Sequence, residues 1–377
     1  MVERKIEGMK VIFTPAEVQE ITDNIAAVLK SGHLIKGLFL DDFAARVGNR
    51  CGKSRTALCS SDTAAMEMLF VVLGVRGKKV IFQGNMFPSP IFACMRAGGD
   101  PMYADMELGG LGMSPSSLDE VMGLMLPNEL GAVVVMHTAG IISPEFYDIV
   151  SLCKQRGVTL IEDCAHAYGA TDDKQEKGAG SWGDYAVFSF YATKPMATGE
   201  GGAVCSENGG VVEKFEMLSR YGKTEIFGPP FCEYPGYSNR MTELLAAVGV
   251  VADKYLYEKI SRRRAIGQVY DLELNVDATV YNVPGGNQYK YVLMPDQPHD
   301  RVYFQKVMKE EYGIGIPAGV YDFPVYRQKP LVHSTEWKGL PKSELFCNNH
   351  VCLPMHEGLS DDDARYVANA VNEVLGR

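Results

Sequence analysis

The chain has no surplus of positive charge, no long apolar run and no closely paired cysteines. Its 37 lysines and arginines are outweighed by 47 aspartates and glutamates, a formal net charge of −10. Binding a phosphate backbone needs a basic face, so nucleic acid is excluded as the main partner. The densest basic cluster, Arg262-Arg263-Arg264, reads as a solvated helix face. No stretch approaches the roughly 20 apolar residues that cross a bilayer. The start, Met1-Val2-Glu3-Arg4-Lys5, leads into no signal-peptide core. A cytoplasmic protein with no membrane partner is expected. The nine cysteines are scattered and none forms a CxxC pair, which argues against zinc ribbons and redox motifs, and no metal is expected. Cys153, Cys164 and Cys205 lie in apolar segments and read as small buried hydrophobes, a usage that suits a reducing compartment. A nicotinamide site would want GxGxxG after the first strand. Gly199-Glu200-Gly201-Gly202 lacks that spacing and reads as a turn into a strand. No internal repeat or low-complexity segment is evident.

What is present is a chain of 377 residues, 46% apolar, long enough for two cores. From Ala57 to about Ser206, short apolar runs alternate with helical patterns. Strands are expected at Val80–Gln83, Ala132–Met136, Val158–Glu162, Tyr185–Phe190 and Ala203–Cys205. These runs are continuously apolar, as strands buried on both faces are. Ser143-Pro144-Glu145 reads as the start of a helix with serine as its cap, and Gly157 as its end. The sum is an α/β domain with a mainly parallel sheet. Near Met241 the character changes. An apolar helix over 244–251 and a charged one over 253–270 lead to fewer strand runs, such as Tyr289–Met294. The chain ends in an amphipathic helix from Ser360, with Asp361, Asp362 and Asp363 favoured by the helix dipole. The expected division is a large domain over 1–252 and a smaller α+β domain over 253–377.

The chemistry concentrates around one lysine. Phe188-Ser189-Phe190-Tyr191-Ala192-Thr193-Lys194 precedes Gly199-Glu200-Gly201-Gly202, and an earlier apolar run ends in Glu162-Asp163. In open α/β sheets, ligands bind beyond the carboxyl ends of the strands. A lysine, an aspartate and a serine placed there suit pyridoxal 5′-phosphate (PLP). The Lys194 amine forms an imine with its aldehyde, Asp163 keeps its ring nitrogen protonated, and Ser189 takes a phosphate oxygen. His166 can reach the phenolic oxygen or orient its neighbour. Ser60-Ser61-Asp62-Thr63 leads into an apolar helix whose first N–H groups suit a phosphate dianion. The charge of Asp62 opposes that unless its side chain turns away to cap the helix. Phe87 is placed to stack on a pyridine ring.

At these residues the chain resembles the DegT/StrS-type sugar aminotransferases, a branch of the fold-type I PLP enzymes. The segments that carry the resemblance are Ser31 to Gly37, Ser61 to Ala65, Glu162 to Ala167, Ser189 to Gly202, Gly236 to Val248 and Cys352-Leu353-Pro354. It implies a large domain with a mainly parallel, seven-stranded type of sheet. It also implies an internal imine at Lys194, with Asp163 on the pyridine nitrogen and His166 near the phenolic oxygen. Ser189 with the amides of Asp62 and Thr63 would hold the phosphate, and Phe87 would stack. Ser238 and Asn239 lie in a loop that reaches the neighbouring subunit's phosphate, so a homodimer with shared sites is implied. The family has asparagine where Ser238 stands and glycine where Asp62 stands. Tyr321, Tyr326 and Arg327, with His33, fall in segments on the substrate side, and many relatives have histidine in place of Tyr326. The reaction implied is a ping-pong transamination through the pyridoxamine form (PMP), from glutamate or glutamine to a keto-sugar or related cyclic ketone. The alternatives are a sugar dehydratase, in which the lysine is replaced by histidine, and a non-catalytic regulator of the same fold.

Overall fold

The computed structural model describes residues 4–126, 128–174, 176–223, 231–297, 299–331 and 339–376. It opens with α1 (Pro15–Ser31), α2 (Leu38–Cys51), β1 (Arg55–Cys59), α3 (Asp62–Leu73), β2 (Lys79–Gln83), α4 (Ser89–Arg96) and β3 (Asp100–Ala104). Next come α5 (Pro115–Gly123), β4 (Leu130–Met136), α6 (Phe146–Arg156), β5 (Leu160–Asp163), β6 (Tyr185–Ser189), β7 (Gly202–Ser206) and α7 (Gly209–Ser219). The last part holds α8 (Glu243–Lys254), α9 (Leu256–Glu273), β8 (Ala278–Tyr281), β9 (Tyr291–Pro295), α10 (Arg301–Glu310), α11 (Pro341–Asn349), β10 (Val351–Leu353) and α12 (Asp361–Leu375).

The first seven strands form one sheet in the order β1-β7-β6-β5-β4-β2-β3. From β6 to β3 all pairs are parallel, whereas β7 runs antiparallel to both β6 and β1. Alternate residues of one strand feed opposite faces. In β4, Val133 and Val135 join a core with Phe43, Phe146 and Phe188, while Ala132, Val134 and Met136 join a core with Met66, Phe70 and Phe82. That two-sided burial is why these strands read as unbroken apolar runs. A smaller antiparallel sheet, β10-β9-β8, packs in a third core with α9, α10 and α12. Ile6, from the start of the chain, joins this third core and bridges to Ile314, while Val325, Leu331 and Leu340 return to the second face of the large sheet. Among the described residues no helix is long and apolar enough to cross a membrane.

Local signals explain most helix ends. Gly157 closes α6 in the left-handed conformation, and Ser360 caps α12 in a capping box with Asp363. Two expectations are corrected. Ser143 does not cap α6: its hydroxyl bonds the Glu145 carboxylate, and the helix starts at Phe146 without a side-chain cap. The Arg262-Arg263-Arg264 cluster is not a solvated face. Arg263 is 3% exposed and donates to Glu357 Oε1 at 2.6 Å and to the carbonyls of Gln288, Tyr289 and Met355. Arg262 pairs with Asp361 at 2.7 Å, and Arg264 donates to the Gly286 carbonyl at 2.9 Å. The cluster ties α9 to two loops and to the start of α12, with guanidiniums satisfying carbonyls that would otherwise be stranded.

Candidate active site

Both β5 and β6 end at the same edge of the sheet, at Asp163 and Ser189. β1 is antiparallel to β7, as is β6, so β1 also points to that edge and delivers α3 there. Ser61 caps α3, its backbone extended and its Oγ accepting from the Ala64 N–H at 3.1 Å. The remaining N–H groups of the first turn have no intrahelical acceptor. Gly202 of β7 lets this turn press against the sheet, because a Cβ there would lie 2.5 Å from the Ser61 carbonyl carbon and 2.6 Å from the Asp62 nitrogen.

These elements surround a cavity of about 700 Å³ lined by Asp62, Thr63, Phe87, Asp163, His166, Ser189, Lys194 and Tyr321. Asp163 is 1% exposed, with Oδ1 accepting from the Ala165 N–H at 3.0 Å. Burial pushes its carboxyl up to about 6, against the pull of that N–H and of Lys194. Asp62 does not turn away as a cap. Its Oδ1 is buried without a hydrogen-bond partner, and burial together with Asp163 pushes its carboxyl up to about 8. Asp163 opposes the ionisation of Asp62, and Lys194 favours both carboxylates. The Lys194 amine lies 4.7 Å from the centre of the Tyr289 ring, whose hydroxyl meets Thr193 Oγ1 at 3.1 Å.

His166 accepts the Ala139 N–H on Nδ1 at 3.3 Å, which assigns its proton to Nε2, 3.1 Å from the Tyr321 hydroxyl. Burial, Lys194 and Lys290 hold this imidazole well below its usual range, so it is neutral. The Phe87 ring stands 5.8 Å from that of Tyr321. Beneath the floor, Glu162 accepts from His137 Nε2 at 2.8 Å and from the N–H groups of Gly180, Trp182 and Gly183. Cys164 lies beside this pair, but the carboxylate is saturated by donors and braces the loop before β6.

Five expected site residues lie elsewhere in the chain. His33 is exposed after α1, where its N–H donates to Ser31 Oγ. Tyr326 donates to the Glu344 carboxylate, and Arg327 pairs with the same group at 3.2 Å. Ser238 is exposed, its hydroxyl bonding Tyr221 at 3.0 Å and taking an Arg240 N–H at 2.9 Å. Asn239 is held by its backbone to Ser60 and Ser219. Conversely, the cavity is also lined by Met136, Tyr191, Glu200, Tyr289 and Lys290, to which no site role was assigned from sequence. The signal for the last was available: a lysine between two tyrosines at the entry to a strand that is otherwise apolar.

A lysine amine on the loop after β6, a buried carboxyl at a strand end, a hydroxyl and an uncommitted helix start are the groups that PLP needs. The Lys194 amine, the Ser189 hydroxyl and the free amides of α3 fit that cofactor, and the orphaned acid of Asp62 is the one group among them that opposes its phosphate. A fold and a cavity of this kind suit a PLP-dependent transferase. The chain belongs to the DegT/DnrJ/EryC1/StrS aminotransferase family, which residues 15–372 match. It is 28% identical to the spore coat polysaccharide biosynthesis protein SpsC of Bacillus subtilis (strain 168), over 95% of this chain and 94% of the relative. It is 27% identical to a UDP-4-amino-4,6-dideoxy-N-acetyl-beta-L-altrosamine transaminase of Campylobacter jejuni (strain ATCC 700819), over 95% of each chain. The solved structure of NtdA from Bacillus subtilis with bound PMP superposes at a TM-score of 0.88, with 22% identity over all of this chain and 87% of that one.

Proposed function

We propose that this chain moves an amino group from glutamate or glutamine to the carbonyl of a keto-sugar or related cyclic ketone, with PLP held at Lys194. One observation carries the reading. The Lys194 amine, the Asp163 carboxyl, the Ser189 hydroxyl and the first turn of α3 line a single cavity. The sugar acceptor is supported by relatives named for sugar transamination, such as the Campylobacter enzyme.

When bound, PLP supplies an electron sink for bond changes at the substrate carbon that bears nitrogen. The chain's own groups do the rest. Lys194 would hold the cofactor through its amine, and that amine, when free, would be placed to move a proton at the donor's α-carbon. Asp163 would keep the ring nitrogen protonated, since a carboxylate out of water stabilises an adjacent cation strongly. His166, neutral, orients the Tyr321 hydroxyl over the chamber. Ser189 and the α3 amides would hold the phosphate. A second copy of the chain completes the site, with Ser238, Asn239 and Arg240 reaching the partner's phosphate.

The test is optical. Purified protein given PLP should develop an absorbance band that borohydride bleaches and that glutamate converts to the PMP band. Lys194→Ala should lack the bleachable band. A band that survives in Lys194→Ala overturns the assignment.

A further inference from the structure

A second lysine lines the same cavity and has no role so far. The Lys290 side chain is 6% exposed. Its ammonium donates to the Ala318 carbonyl at 3.3 Å and stands 5.5 Å from the centre of the Tyr289 ring. Lys194 leans on that same ring at 4.7 Å, so the two amines share one wall of the chamber. Among the described residues no carboxylate oxygen lies within 4.0 Å of the Lys290 nitrogen. The nearby acid Asp322 is paired with Arg301 at 3.1 Å. The field of Lys290 is strong enough to act with that of Lys194 on both His166 and Tyr289.

A buried ammonium has three N–H groups and a charge, and both must be matched or the fold bears the desolvation cost. Here one carbonyl and one ring face meet it, and neither carries a charge. The missing counter-charge therefore belongs to whatever enters the cavity. With the cofactor at the Lys194 end, the entering group is the substrate.

We propose that Lys290 is a specificity residue that binds a substrate carboxylate. This inference rests on the reading of the cavity as the transamination site. A carboxylate can come from two sources. Every amino-acid donor has one beside the reacting carbon. An acceptor has one if it is a sugar acid, whose carboxylate would then lie against Lys290 while its ketone faces the cofactor. Ping-pong chemistry passes both through the same chamber, so one ammonium can serve either or both. A charge-assisted hydrogen bond away from water has the strength to choose between an acid and its neutral amide.

The test uses the PLP-loaded enzyme, with apparent Kd values for each half-reaction read from the absorbance change between the PLP and PMP forms. The donor arm compares L-glutamate with its α-amide and its γ-amide. The acceptor arm gives the PMP-loaded enzyme a keto-sugar acid and the matching neutral keto-sugar. In the unaltered protein, exchanging the recognised carboxylate for an amide or neutral group should weaken binding roughly 10- to 100-fold. Lys290→Met should erase that discrimination while keeping the borohydride-sensitive band, and Lys290→Arg should retain most of it. Discrimination in the donor arm assigns the donor carboxylate, and discrimination in the acceptor arm assigns a sugar acid. An unaltered enzyme that treats acids and amides alike in both arms overturns the proposal, whether or not the variants fold. So does a Lys290→Met enzyme that discriminates as before. If the unaltered protein forms no borohydride-sensitive band, it is the assignment of the cavity that fails.

Discussion

Asp62 is an acid whose buried Oδ1 has no hydrogen-bond partner, and its consequence is a pH effect with a definite sign. The carboxyl is raised from 3.8 to about 8 by burial and by Asp163. A group raised in the folded state adds stability that is full below its unfolded value and is lost as pH climbs through its folded value. For Asp62 the window runs from 3.8 to about 8, and for Asp163, raised to about 6, from 3.8 to about 6. The protein without cofactor should therefore lose stability from pH 5 to pH 8.5. Asp62→Asn should remove part of that slope. Its gain at pH 8.5 should be about 1–3 kcal/mol, the usual cost of a buried polar group left unmatched, shrinking on acidification. Thermal melts across that range measure it. The same charge opposes a phosphate dianion at the start of α3, so Asp62→Gly should bind PLP more tightly at pH 8.5 and show a flatter dependence on pH. Asp163→Asn is the opposite case. On the proposed reading it removes the charge that keeps the ring nitrogen protonated, and it should lower kcat by roughly 10²–10³-fold while the bleachable band persists. At this scale, the shared placement of Asp163 and Lys194 on one cavity was legible because each follows an apolar strand at the edge where ligands bind. The orientation of Asp62 was not. Aspartate and serine both cap helices, and only the extended backbone at Ser61 shows which of the two stands outside the first turn.

Among the elements, the readable strands were those buried on both faces. β4, β5, β6 and β7 carry unbroken apolar runs, and each emerges within two residues of the range expected for it. The strands that escaped notice are the edges of the sheet. β1 begins Arg55-Thr56 and β3 begins Asp100-Pro101, and charge and proline are how edge strands avoid pairing with other chains. The antiparallel direction of β7 was equally hidden, because a buried strand has the same composition whichever way it runs. Arginines were misread for a related reason. Periodicity places Arg262, Arg263 and Arg264 on a helix, but it does not reveal that loops close over them. That enclosure sets a measurable stake. Arg263 and Glu357 form a pair with side chains 4% and 12% exposed, and removing one partner strands the other. Arg263→Ala should cost about 3–5 kcal/mol, read as a lowered denaturation midpoint. Arg262→Ala, whose partner Asp361 is half exposed, should cost less than about 1 kcal/mol.

The whole molecule has an unfinished surface. Leu38 is 84% exposed and Phe231 79%, and Leu34 and Ile35 are also open to water. Ile35, Leu40 and Met241 line a groove together with Tyr221 and Arg240. The guanidinium of Arg240 lies 4.9 Å from the centre of the Tyr221 ring and bonds Ser238, so a cation and two hydroxyls are held together on an open face. The cavity at Lys194 shows the complementary gap. On the proposed reading its phosphate meets the Ser189 hydroxyl and the start of a helix, and among the described residues no arginine lines it. A two-fold interface that buries the apolar residues and swings Arg240 toward the partner's α3 would remove both deficits at once. On that arrangement each active site takes Lys194 from one copy and Arg240 from the other. Lys194→Ala and Arg240→Ala should each be nearly inactive alone. After mixing and subunit exchange, some pairs contain one site with both intact residues, and activity should return. An interface that shares no residues predicts instead that the mixture is no more active than its components, and sedimentation of the mixed sample shows whether exchange took place.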